Sequence, residues 1–175
     1  MKVLSTFLLA MLSIFGGQAF AEESLLGAAY DGVVFQYHPP KDWSLRDVKG
    51  SKALVAFGHK ADDFEPSLSV DEEAYSRTTQ NYARENYEAL KGLLKKVEII
   101  SETEFVTTSG IKGTRLIAIN EQEKRLVRQN IFVLEGEPGK VYVLTSTVLA
   151  QAGPKSDALF EASAKSFELK KRCCE

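Results

Sequence analysis

Between Val97 and Leu149 four apolar-rich runs follow one another with only short breaker segments between them: Val97 to Thr107, Ile111 to Asn120, Arg125 to Leu134 and Val141 to Leu149. Ser109-Gly110 suits a tight turn, while Glu121-Gln122-Glu123-Lys124 and Gly136-Glu137-Pro138-Gly139 suit solvated hairpin loops. Connections this short leave no room for a crossover, so the four runs are expected to form an antiparallel meander. In Val141-Tyr142-Val143-Leu144 neither alternating face is polar. Such a strand should be covered on both sides, which predicts helices on both faces of one antiparallel sheet, an α+β sandwich.

The remaining elements fit around that meander. Val33 to Tyr37 reads as an opening strand, stopped by His38-Pro39-Pro40-Lys41-Asp42, because prolines cannot donate to a ladder. Trp43 to Val48, Ala53 to Phe57 and a short Ser67 to Val70 read as further strands, with a turn at Lys49-Gly50-Ser51. From near Tyr75 the apolar period changes: Tyr82, Ala83, Tyr87, Leu90, Leu93, Leu94 and Val97 recur at helical spacing. This predicts an amphipathic helix of about twenty residues whose tyrosines pack on a sheet with their hydroxyls at the rim. A last helix is expected from Pro154, with Ser156 or Asp157 as its starter, closing the domain at Ser166-Phe167-Glu168-Leu169.

Ahead of the domain, Met1-Lys2, an apolar run from Val3 to Phe15 and the triplet Ala19-Phe20-Ala21 have the pattern of a secretory signal peptide, residues 1–21, with cleavage expected before Glu22. With Gly16, Gly17 and Gln18 interrupting it, the segment falls short of the roughly 20 apolar residues of a spanning helix. No stable membrane span is expected after cleavage. Bacterial export is the simplest address, periplasmic first and extracellular second. Residues 22–169, about 150 in number, suit one domain that folds without staples. The formal net charge of −2 has the wrong sign for phosphate neutralisation, so nucleic acid is not an expected partner. The chain's two cysteines, Cys173 and Cys174, fall in a basic tail, residues 170–175, after Lys170-Lys171-Arg172. Adjacent cysteines cannot frame a fold.

Phe35-Gln36-Tyr37-His38-Pro39-Pro40-Lys41-Asp42-Trp43 resembles the F-x-x-Y-P-x-x-W opening of the PsbP/Mog1/DcrB-like superfamily. The other marks come in order: a long helix, a strand of the Val97-Glu98-Ile99-Ile100-Ser101-Glu102 type, a Gly110-x-x-Gly113 hairpin, Val141-Tyr142-Val143-Leu144-Thr145, and a closing helix ending at Ser166-Phe167. The likeness runs from Val33 to Leu169. It implies an antiparallel sheet sandwiched between helices, the proline corner rigid and Trp43 plugging the end of the sheet. Members of that superfamily include a photosystem II extrinsic subunit, a Ran-binding nuclear protein, a periplasmic protein linked to phage uptake and chaperones for secreted effectors. They share binding and scaffolding, not a reaction, and fold alone carries no partner across.

Motifs for chemistry are absent: there is no G-x-S-x-G elbow, H-E-x-x-H helix, C-x-x-C, P-loop or dinucleotide glycine signature. The two histidines are the groups suited to chemistry near neutral pH. His59, Asp62 and Asp63 share one loop in the weak outline of a metal site, with His38 the one further imidazole. Lys60 opposes a cation there, so a solvated loop is the expected reading. No cofactor and no catalytic residue is expected. The leading function is an exported, non-enzymatic binding or scaffold protein of the cell envelope. The alternatives are a periplasmic carrier of a small apolar ligand or lipid, held between the sheet and the long helix, and a hydrolase with an unrecognised site.

Overall fold

The meander forms where its turn residues place it. A computed structural model describes residues 25–170; the leader, and Cys173 and Cys174 in the tail, lie outside the described residues. In chain order the elements are β1 (Tyr30–Asp31), β2 (Phe35–Tyr37), β3 (Ser44–Arg46), β4 (Val55–Phe57), β5 (Ser67–Ala74), α1 (Thr79–Leu93), β6 (Lys95–Val106), β7 (Lys112–Gln122), β8 (Arg125–Glu135), β9 (Lys140–Leu149), α2 (Gly153–Lys165) and β10 (Glu168–Leu169), with a 3₁₀ turn at Ala150–Ala152. Gly110 and Gly139 take φ of +88° and +83° in the β6–β7 and β8–β9 turns, conformations that L side chains adopt at a cost. The main sheet runs β3-β4-β5-β9-β8-β7-β6 and is antiparallel at every described pairing.

Period two along β8 and β9 divides the core in two. Ile131, Val133, Val141 and Val143 point to one face, where Ala83, Tyr82, Tyr87 and Leu90 of α1 pack on them. Phe132, Leu134, Tyr142 and Leu144 point to the other, against Phe160 and Ala164 of α2 and Phe167 beyond it. Covering on both faces is what the unbroken apolar run of β9 requires. Tyr82 and Tyr87 of α1 pack on the sheet as expected, and Tyr75, in the loop before the helix, meets Tyr82 edge-on with ring centroids 5.0 Å apart and donates its hydroxyl to Glu85 at the surface.

Several boundaries differ from the sequence expectation, each for a tertiary reason. The long helix starts at Thr79, not Tyr75, because β5 continues along β9 as far as Ala74 and Thr78 then caps the helix, its side chain accepting from Asn81 N–H at 3.2 Å. The charged residues Asp71, Glu72 and Glu73 thus belong to a strand. β2 leaves the main sheet altogether and forms a second, three-stranded sheet between β1 and β10. Glu168 and Leu169 pair with Gln36 and Phe35, and the Glu168 carboxylate takes the Gln36 amide. Lys170 still belongs to the fold, donating its N–H to Val34 O and pairing its ammonium with Asp31.

Candidate binding cleft

The proline corner does more than end β2. The chain reverses through Pro39 and Pro40, Trp43 N–H donates to Pro40 O at 3.2 Å, and Asp42 takes a left-handed φ of +65°. Trp43 is thereby set against the last strand residues and α2, its ring edge-on to Phe160 at 5.8 Å between centroids. Gly58 lies under the indole so closely that a Cβ there would stand 2.7 Å from the ring. Together with Phe64, Pro66, Val148 and Leu159, these rings line an open apolar cleft of about 360 Å³. That volume lies at the small end of ordinary ligand pockets, about 300–1,000 Å³.

A shallower recess of about 540 Å³ shares Asp62, Leu149 and Gln151 with the cleft and adds Arg125 and Leu126. Leu126 is 47% exposed there, and Arg125 donates to the Asp62 carbonyl at 2.9 Å. An apolar floor with a polar rim is the anatomy of a patch that takes an apolar group. The cleft sits under α2. Between the sheet and the long helix, the place considered for the alternative apolar ligand, Tyr82, Ala83, Tyr87 and Leu90 pack on β8 and β9, so the apolar cleft lies on the other face.

The candidate metal residues are not gathered. His38 is exposed, its Nδ1 at 3.0 Å from Gly27 O and its N–H donating to Ser166 Oγ. His59, Asp62 and Asp63 are exposed in the β4–β5 loop; Asp62 and Asp63 adopt positive φ, and Asp63 pairs with Lys60 at 3.2 Å. Among the described residues no group of three or more His, Cys, Asp or Glu side chains could hold a metal ion.

The densest polar cluster is one that sequence reasoning missed. Asp157, expected as a helix starter, points instead into the sheet; α2 begins at Gly153 and Pro154 with no side-chain cap. Arg128 grips both Asp157 oxygens, Asn130 Nδ2 donates to Oδ1 at 2.9 Å, and Arg115 bridges Asn130 to Glu161. Burial works to raise the Asp157 pKa, but the Arg128 and Asn130 hydrogen bonds and the two guanidinium charges outweigh it and hold the carboxyl below its usual range. Glu161 is lowered as well, first by its hydrogen bond from Lys165 and then by Arg115. Each partner is already spent on another, so the cluster anchors α2 and offers no free acid or base. The signal was present: Arg128 and Asn130 share one face of β8 with Phe132 and Leu134, and there the arginine demands a buried counter-charge and the asparagine a hydrogen-bond partner.

No protein-family model matches the sequence, and no curated protein matches it. Solved structures do. The cyanobacterial PsbP (CyanoP) of Synechocystis sp. PCC 6803 superposes with a TM-score of 0.61 at 16% identity, covering 88% of this chain and 98% of that one. LpqN of Mycobacterium tuberculosis, described as involved in cell envelope biogenesis, gives 0.58 at 13% over 78% of this chain and 83% of its own. PA94 of Pseudomonas aeruginosa, a protein of unknown function, gives 0.56 at 13% over 86% of this chain and 100% of its own. At these identities the likeness is one of architecture. The chain has the PsbP-like α+β fold that its proline-tryptophan corner and its meander resemble.

Proposed function

We propose that the protein is an exported, non-enzymatic binding or scaffold protein of the bacterial cell envelope, and that it engages a protein partner through the Trp43–Phe160 cleft. The observation that carries this reading is the cleft itself. It is apolar, open and edged by Gln151, Ser156 and Asp62, while the charged groups of the neighbouring cluster are committed to holding α2. An aromatic or aliphatic side chain of a partner would fill it as an anchor residue fills a pocket. The export pattern in the first twenty-one residues and the envelope role stated for LpqN support the location. Among the described residues no helix is long and apolar enough to cross a membrane.

The cleft volume also favours a second reading, carriage of a small apolar ligand. One experiment separates the two. A photo-crosslinking side chain at exposed Gln151, in the protein exported to its native envelope, should give a discrete protein adduct that Leu159→Asp abolishes. No adduct, together with a small apolar molecule released from the purified protein and identified by mass spectrometry, would replace the scaffold with a carrier.

A further inference from the structure

The main sheet ends at β6, which has β7 as its one described neighbour. The first half of β6 is irregular, with register shifts between Lys95 and Glu98 and again between Ile99 and Ser101. Bulges of this kind spoil an edge as a template for another strand. The second half is different. From Ser101 to Val106 the register with β7 is unbroken, Ser101 opposite Ile117 through Val106 opposite Lys112.

Which backbone groups face outward follows from one hydrogen bond. Thr107 N–H donates to Ile111 O at 2.9 Å, so Thr107 faces β7 as a hydrogen-bonded residue. Alternation in an antiparallel ladder then turns the N–H and C=O of Phe105 and Thr103 inward, and those of Glu102, Glu104 and Val106 outward. All three outward residues are exposed, Val106 by 51%. Their side chains stand on the α1 face, where they border a groove of about 470 Å³ between the sheet and the start of α1.

The charged groups of the groove are net acidic. Glu102, Glu104 and Glu135 line it against the single cation Lys112. Arg84 reaches Glu102 at 3.4 Å, whereas no ion pair engages Glu104 or Glu135 among the described residues. A second copy of this chain pairing edge to edge would set carboxylates against carboxylates, which disfavours it. A strand carrying Lys or Arg at alternate positions would set cations against them.

We propose that Ser101–Val106 is a docking edge that accepts a basic, extended peptide segment as an added antiparallel strand, its backbone bonding to Glu102, Glu104 and Val106 and its alternate cationic side chains entering the groove beside Glu104 and Glu135. Main-chain bonds supply the affinity and the acidic groove the selectivity. The surface is separate from the Trp43 cleft and does not rest on it.

The test uses capped hexapeptides of alternating Lys and Val, with the Glu-Val counterpart as control, binding being read by fluorescence anisotropy and by amide hydrogen exchange. The Lys-Val peptide should bind and slow exchange at the Glu104 and Val106 amides at least about tenfold at saturation, as new ladder bonds would. Val106→Pro removes an outward N–H without breaking the β7 ladder and should abolish that protection in a folded protein. Glu104→Lys with Glu135→Lys should reverse the preference toward the Glu-Val peptide. Binding without amide protection, or binding unchanged in Val106→Pro, would overturn strand addition in favour of diffuse charge attraction. Concentration-dependent dimerisation abolished by Val106→Pro would overturn it in favour of a second copy.

Discussion

Arg128 and Asp157 meet in a two-pronged ion pair beneath α2, Nε to Oδ1 at 2.9 Å and Nη2 to Oδ2 at 2.6 Å, with only 9% and 14% of the two side chains exposed. One residue on β8 and one on α2 thus fix how the last helix lies across the sheet. Removing one partner of a buried pair leaves the other charge uncompensated. Asp157→Ala is expected to lower the unfolding free energy by about 3–5 kcal/mol, read from urea denaturation. Replacing the pair together, Arg128→Met with Asp157→Leu, should recover part of that loss, because apolar side chains of similar volume carry no desolvation cost, while the buried Asn130 amide still loses its acceptor. A double variant as unstable as the single one would show that the pair contributes more than it costs to bury.

Acid should act on the same contacts. Asp157 and Glu161 both have folded pKa values held below their ordinary ones. Their stabilisation is therefore complete above the ordinary carboxylate pKa values and lost as pH falls through those of the folded state. Unfolding free energy should be flat above about pH 5 and decline below it. Glu72 and Glu121 are lowered too, by hydrogen bonds from Lys140 and Lys96, and act in the same direction as pH falls. In Asp157→Asn the decline between about pH 5 and 3 should be shallower than in the parent. An equal slope would place the acid sensitivity elsewhere.

The long strands β6 to β9 were legible because their apolar runs and breaker turns agree with one another, and β9 announced helices on both faces by having no polar side. What was not legible depended on neighbours. Glu168 and Leu169 become a strand through two pairings with β2, and Asp71 to Glu73 extend β5 because β9 runs beside them. The site divides the same way. Trp43 could be singled out at the proline corner, but its cleft also needs Phe64 from the loop after β4 and Leu159 from α2, which only the packed chain brings together. Asp157 at the start of a helix looks the same in sequence whether it caps that helix or reaches across to an arginine.

Tyr37 is fully buried among Tyr30 and Phe35, and its hydroxyl has no hydrogen-bond partner among the described residues. Burial, with a smaller contribution from Tyr30, pushes its pKa far above the usual tyrosine value. The ring therefore supplies packing, while its oxygen carries an uncompensated desolvation cost. Tyr37→Phe is expected to leave stability unchanged or raise it by about 1 kcal/mol. A loss of more than about 1 kcal/mol on thermal or urea unfolding would mean that the hydroxyl is bonded in solution.

Trp43 is the single tryptophan of the chain and lines the cleft, so its fluorescence reports directly on what enters there. A bound apolar group that excludes water should shift its emission to the blue. Gly58→Ala tests the geometry without touching the cleft lining, because the new Cβ would stand 2.7 Å from the indole and must push it aside. Displacing the ring reshapes the cleft that it lines, and crowding of this kind costs about 1–3 kcal/mol. The variant should remain folded, show an altered emission maximum, and lose at least about tenfold in affinity for whatever occupies the cleft, equivalent to about 1.4 kcal/mol. Affinity unchanged beside a displaced indole would remove Trp43 from the binding surface.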